Sequence, residues 1–299
     1  MSLTLHNPAL LEEVIHFLNP VPGNIIIDAT IGGAGHAEEI MPKLWPGGML
    51  IGIDRDSESL RIAHERLTGL KGQFKLVNKN FRDLKKITQD LKIGEIDGIV
   101  FDVGISSIQM ETAERGFSIK HPGPLDMRMD RNQSLTAKDL VNSLSEIELS
   151  DLIRNYGEER FHRRIAKGIV AARKRKEIQS TFDLADIVLS NIPYGNRRKR
   201  RRIHPATRTF QAFRIRVNDE LVSLEEALGG TPDVLKKGGR VSIISFHSLE
   251  DRIVKNILKK FNTQGIFRTL TKKPIRAKEE EILKNPRARS AKLRAAVKL

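Results

Sequence analysis

The stretch that most constrains this chain runs from Ile25 to Asp54. An apolar run, Ile25-Ile26-Ile27, ends in Asp28, and a turn carrying Gly32, Gly33 and Gly35 follows. A helical stretch then leads to a second apolar run, Met49-Leu50-Ile51, that ends in Asp54. Strand, tight turn, helix and acid-tipped strand is the unit by which an α/β sheet cradles a nucleoside at the carboxyl edge of its strands. The glycines let the backbone approach a ligand closely, and an acid at the end of the second strand accepts bonds from ribose hydroxyls. The plain alternative is a strand–turn–helix whose glycines serve only packing.

The same stretch narrows the nucleoside. In a dinucleotide fingerprint, G-x-G-x-x-G, Gly33 and Gly35 would supply the first two glycines, but the third position is Glu38. A carboxylate near a helix start repels a pyrophosphate. No Gly-Lys-Ser/Thr follows the glycines, so a P-loop is excluded. A cofactor with a ribose and no phosphate fits better, which points to S-adenosylmethionine (SAM).

The chain has 299 residues, 39% of them hydrophobic, enough for one large domain or two with a real core. It has no cysteine, which excludes a disulfide scaffold, a cysteine nucleophile and a thiolate zinc site. No apolar run is long enough to cross a bilayer, and the N-terminus lacks a signal-peptide core, so a soluble, cytoplasmic protein is expected. Lys and Arg number 52 against 37 Asp and Glu, a net charge of +15. Arg197–Arg202 is an unbroken basic run, and Arg173–Lys176 is a second. Clustered cations favour a polyanionic partner, through release of counterions from phosphates. Aromatic content of 5% argues against broad base-stacking platforms.

Strands are expected at 24–28, 49–54, 73–78 and 96–103 with helices between them, the first helix capped by Asn7 and begun at Pro8. This alternation predicts a parallel sheet covered on both faces. Residues 108–134 read as a loop marked by Gly116, Pro122, Gly123 and Pro124, and 136–190 as helix after helix. Capping boxes are expected at Ser145/Glu148 and Ser180/Asp183. Residues 108–210 therefore form a helical insertion in an α/β domain made of 1–107 and 211–299. The α/β pattern resumes with a helical stretch from Phe210 to Leu228, a strand at Arg240–Phe246, a helix at 248–261 capped by Ser248 with Asp251, and a half-buried strand after Ser290.

Several residues stand where chemistry is expected. Asp54 should bind the ribose. Asn80-Phe81, after the third strand, is the corner that meets an adenine, although a phenylalanine tucked on the sheet reads equally well. Phe101-Asp102-Val-Gly-Ile-Ser-Ser107 ends the fourth strand at the switch point of such a sheet. There Asp102 would either bind the N–H of a nucleobase amine, localising its lone pair for attack, or hold the cofactor. The long loop that follows makes Asp126 and Arg128 candidates for substrate contact, with a loop salt bridge as the rival reading. The histidines are scattered singly and suggest no metal; His36 alone abuts the glycine turn.

These residues belong to a longer ordered series. It includes Asp28-Ala-Thr-Ile-Gly-Gly-Ala-Gly-His36, Gly52-Ile-Asp-Arg-Asp56, Asp102-Val-Gly-Ile-Ser-Ser107, Arg115-Gly-Phe-Ser118 and Pro124-Leu-Asp-Met-Arg-Met-Asp130. It continues through Gly157-Glu-Glu-Arg160, Thr207–Arg214, Ser245–Arg252 and Asn285–Arg294. The series resembles the RsmH/MraW family of bacterial small-subunit ribosomal RNA cytosine-N4 methyltransferases over essentially the whole chain. The resemblance implies a Rossmann-like class I SAM-dependent methyltransferase fold with a helical insertion for substrate recognition. The implied cofactor is SAM, contacted by Ala34, Gly35, His36, Asp54, Phe81, Asp102 and Gln109. Ala34 stands where many members have a glycine, so it would contribute backbone only. The implied substrate is one cytidine in the decoding region of 16S rRNA in the small ribosomal subunit. No metal or membrane is implied, and a homodimer stays open. The competing expectations are a non-catalytic RNA-binding ribosome assembly factor that kept its SAM pocket, and a dinucleotide oxidoreductase, against which Glu38 and the basic insertion argue.

Overall fold

The structure is a computed structural model that describes residues 8–193 and 204–299. Asn7 and the Arg197–Arg202 run lie outside the described residues. The chain divides into two compact units, 1–107 with 221–299, and 108–220. The return to the first unit comes at Leu221 instead of 211. The reason is that the helix Thr207–Asn218 packs on the helix Glu146–Gly157 inside the second unit.

The first unit is built on seven strands: β1 (Ile25–Asp28), β2 (Met49–Asp54), β3 (Phe74–Asn78), β4 (Ile96–Asp102), β5 (Leu235–Ser245), β6 (Phe267–Thr269) and β7 (Lys292–Lys298). Their order is β3-β2-β1-β4-β5-β7-β6. Strands β3 through β5 pair in parallel, and β7 runs antiparallel to both β5 and β6. Alternating side chains feed two cores. Ile27, Ile51, Ile99 and Ile243 enter one, and Ile26, Leu50, Val100 and Ile244 enter the other, with Val14 and Leu18 of the helix Leu11–Leu18. Burial on both faces is why these strands read as continuous apolar runs instead of alternating ones.

Some local expectations are corrected. The first helix starts at Leu11, because Leu10 sits at φ 54° in the left-handed region and turns the chain there. Strand β5 begins at Leu235, taking in Gly238 and Gly239 at a shift of register against β4. Strand β7 is buried from Leu293 to Val297, not half-buried, because it lies between β5 and β6. The cap of the helix Ser248–Thr263 is His247 with Glu250, one residue before the expected pair. Asp251 is taken instead by β7, where Arg294 reaches it at 2.7 Å and Lys292 at 3.2 Å.

The second unit is helical. Its helices include Ala137–Ser143, Glu146–Gly157, His162–Arg173, Thr181–Asn191 and Thr207–Asn218. Both expected capping boxes form, and Thr136 with Asp139 makes another. Each box satisfies orphan N–H groups at a helix start, which defines where these short helices begin.

Candidate active site

Asp28, Asp54 and Asp102 end β1, β2 and β4. Strands β1 and β4 are neighbours although β2 and β3 intervene in sequence, so the sheet's switch point lies between Asp28 and Asp102. The turn after β1 is tied to all three acids. The backbone N–H of Asp102 donates to Thr30 Oγ1 at 2.6 Å, and the Thr30 N–H donates to Asp28 Oδ1 at 3.1 Å. Asp54 accepts from the N–H of Gly32 at 3.0 Å and of Asp56 at 2.9 Å. Gly32 has φ +48°, and Ala34, at φ 62°, caps the helix Gly35–Ile40 from the same left-handed region. Ala34 is fully buried, main chain and methyl alike. Glu38 forms an ion pair with Arg66, whose Nη1 also donates to the carbonyl of Gly33 at 3.0 Å.

The electrostatics of this corner are set by burial. Burial pushes Asp28 and Asp54 up to about 6 and Asp102 up to about 7, with Glu250 adding a like-charge push on Asp102. Burial holds His36 below its ordinary value. Its Nε2 lies 3.0 Å from the carbonyl of Ala9, which can only accept, so Nε2 carries the proton and Nδ1 of the neutral ring bears a lone pair. That Nδ1 lies 3.7 Å from Asp102 Oδ2. The other oxygen of Asp102, Oδ1, is buried with no hydrogen-bond partner among the described residues. An acceptor in that state is an acceptor waiting for a donor.

Phe81 stands edge-on to Phe101, ring centres 5.9 Å apart at 86°, and packs on the sheet's core while remaining partly exposed. The sheet therefore holds the ring whichever of its two expected roles it serves. Asn80 caps the short turn at Phe81 and donates to Ser223 Oγ at 3.2 Å. Gln109 is buried on the short helix Ser107–Glu111, at the start of the second unit, whereas Ala34, Gly35, His36, Asp54, Phe81 and Asp102 lie in the first.

Sequence reasoning assigned no role to several residues around this corner. Arg287 donates to Ser107 Oγ, and Glu281 accepts from the N–H of Leu10 at 2.8 Å, so a segment near the C-terminus braces both the turn after β4 and the residues beside His36. Nothing local in the sequence announces these contacts. Asp28 was visible as an acid closing an apolar strand; its burial beside Asp54 and Asp102 was not.

Asp126 and Arg128 bind each other. Arg128 Nε reaches Asp126 Oδ1 at 2.8 Å and Nη2 reaches Oδ2 at 2.9 Å, while Nη1 donates to the carbonyls of Gln133 and Arg131. The loop that holds them is ordered by buried polar groups. Arg115 donates to the carbonyls of Arg128 and Met129, and Asn218 bridges Met127 and Met129. A long loop of this kind is shaped from within by its own side chains.

Residues 3–299 match the model of the MraW methylase family. The chain belongs to that family. A relative named ribosomal RNA small subunit methyltransferase H, from Persephonella marina, is 49% identical over 98% of this chain and 99% of its own length. One of the same name from Geotalea uraniireducens is 47% identical over the full length of both. Among solved structures, an rRNA methylase from Streptococcus thermophilus superposes with a TM-score of 0.45 at 11% identity, covering 97% of this chain and 93% of that one. Membership makes SAM the cofactor, and the corner fits it. A carboxylate ends β2 with lone pairs beyond the two it gives to Gly32 and Asp56. A buried acceptor ends β4 without a partner among the described residues. Among the described residues, no helix is long and apolar enough to cross a membrane.

Proposed function

We propose that this chain transfers the methyl group of SAM to the exocyclic N4 amine of a cytidine in small-subunit (16S) ribosomal RNA, in the cytoplasm where that RNA is assembled. The observation that carries the reading is Asp102, whose buried, unpartnered oxygen stands at the sheet's switch point in a chain of the MraW family.

SAM supplies an electrophilic methyl on a positive sulfonium. The chain's own residues bind and orient. Ala34, Gly35, His36, Asp54, Phe81, Asp102 and Gln109 would hold SAM, Asp54 by accepting hydrogen bonds from the ribose hydroxyls, Phe81 by meeting the adenine and Ala34 through its backbone alone. Asp102 accepts an N–H of the cytosine amine, which turns the nitrogen lone pair out of conjugation and toward the methyl. The positive charge that develops on the amine is matched by the ionised Asp102 carboxylate, which takes the departing proton while the neutral thioether S-adenosylhomocysteine leaves. The target base has to leave its stack to reach this corner, which costs a few kcal/mol and least in a loop. The second unit, 108–220, supplies recognition of the RNA. Within it, Asp126 and Arg128 act on substrate by shaping the loop, since their charged groups are spent on each other.

The test is methyl transfer from radiolabelled SAM to small subunits that lack the modification, followed by nucleoside analysis. Label in N4-methylcytidine, lost in Asp102→Ala, is expected. Label in another base would keep the enzyme class and overturn the substrate atom. SAM binding without any transfer would favour the assembly-factor reading.

A further inference from the structure

We propose that the outer face of the helix His162–Arg173, continued through Arg175, is a docking strip for an RNA phosphate backbone, which rests on the reading of this chain as an RNA methyltransferase. The inner face of that helix buries Ile165, Ala166 and Ile169. Arg163, Arg164, Lys167, Lys174 and Arg175 are all exposed. At about 100° per residue these five fall within an arc of roughly 120° directly opposite the buried face. The chain stays helical in its torsions at Lys174, so the strip is continuous past Arg173. From Arg163 to Lys174 it rises about 16 Å, a span that several successive phosphates of one strand would fill.

An ordinary solvated helix face mixes signs and pairs them at i,i+4. This one does not. No acid occurs from Phe161 to Lys176, and the first helical turn has none. Arg163 and Arg164 occupy that first turn, where the helix dipole disfavours cations, and each sits on the same face as Lys167. Each of these choices works against the isolated helix. Lys174 and Arg175, at the other end, have the dipole in their favour, so the three earlier cations carry the argument. No side chain of the five is engaged in an ion pair or hydrogen bond among the described residues. Their neighbours are engaged: Arg173 donates to the carbonyl of Val141 at 2.7 Å, Lys138 pairs with Glu177 at 3.1 Å, and Lys176 lies in the field of Asp183. Local rules broken on one exposed face, with no compensation among the described residues, mark a face whose compensation comes from a partner. A polyanion with regularly spaced charges supplies it, and contacts of this kind read the backbone and not the base.

The test compares the full chain with the variant Arg163→Gln/Arg164→Gln/Lys167→Gln, whose side chains are exposed and make no bond among the described residues. Binding to a fragment of small-subunit RNA and to intact small subunits is measured between 50 and 200 mM salt, a range over which several phosphate contacts change affinity by orders of magnitude. The expected result is at least ten-fold weaker binding of the fragment and a log K against log salt slope shallower by about 2–3, at roughly 0.7–0.9 per lost contact. SAM affinity should stay at the wild-type value, which shows that the variant is folded. Unchanged affinity and slope on both substrates would overturn the proposal. Loss on intact subunits with no loss on the fragment would also overturn it, since the partner would then be an acidic protein surface. Loss of RNA binding by the variant, in a wild-type chain that transfers no methyl group, would sustain the strip and sink the methyltransferase reading instead.

Discussion

His36 Nδ1 lies 3.7 Å from Asp102 Oδ2, while His36 Nε2 is committed to the carbonyl of Ala9. The ring is held neutral by burial, so Asp102 faces a lone pair on one side, and its other oxygen has no partner among the described residues. Methyl transfer should therefore depend on the carboxylate itself. Asp102→Ala is expected to lower single-turnover transfer by about 10²–10⁴-fold, the usual worth of a positioned proton acceptor. Asp102→Asn, nearly the same in shape, should lose almost as much. Wild-type rates in the asparagine variant would remove Asp102 from the chemistry.

Asp54 holds the glycine turn through two backbone N–H groups while offering its remaining lone pairs to a ligand. Asp54→Ala should weaken SAM binding by ten-fold or more in isothermal titration. It should also lower stability by about 1.5–3 kcal/mol per lost charge-assisted bond. A variant that binds SAM like the wild type would show that the acid serves the turn alone.

The acids also predict how stability without cofactor depends on pH. Asp28 and Asp54 stand at about 6 and Asp102 at about 7 in the folded chain, against 3.8 unfolded. The folded chain thus binds more protons between about pH 4 and pH 7, and stability from these groups is full below that window and lost as pH rises through it. His36, shifted down, acts oppositely, since its share is present above its unfolded 6.5 and declines as pH falls. Asp102→Asn should raise thermal stability near pH 8, by on the order of 1–3 kcal/mol, and leave it unchanged near pH 4. Melting curves for the two chains that run parallel across the range would contradict this.

In the second unit, Asn218 donates to the carbonyl of Met127 and accepts from the N–H of Met129, both at 2.8 Å. Asn218→Ala would leave these groups buried without that partner, at a cost of about 1–3 kcal/mol each. Thermal denaturation should detect it, and proteolysis should report loosening between Pro124 and Gln133.

Ala34 sits at φ 62°, a left-handed conformation that costs an L-residue about 1–2 kcal/mol. Ala34→Gly should relieve it, less about 0.4–1 kcal/mol for the freer unfolded chain, leaving a net gain of up to ~1.6 kcal/mol. A loss of stability on denaturant titration would mean that the methyl group packs better than the backbone suffers.

Much of the first unit was legible along the chain because its signals are local. Ile25–Asp28 and Met49–Asp54 declare buried strands by unbroken apolar runs, and the boxes at Ser145 and Ser180 declare helix starts within three residues. The cap of the helix Ser248–Thr263 was misread for the same reason. Ser248/Asp251 has the right spacing, but Asp251 is drawn to Arg294 on β7, a partner no local pattern contains.

The sequence by itself determined the class of this protein: an α/β sheet with an acid-tipped glycine turn, shaped for a nucleoside without a pyrophosphate, and an excess of positive charge suited to RNA. Those features follow from residue chemistry and from side-chain periodicity within a few positions. Only the tertiary structure decided that Asp126 spends its charge on Arg128, that Arg287 braces Ser107 across most of the chain, and that β7 is buried between β5 and β6. It alone decided the burial that raises Asp28, Asp54 and Asp102. Ionisation depends on distance and burial in three dimensions, and neither is a property of spacing along the chain.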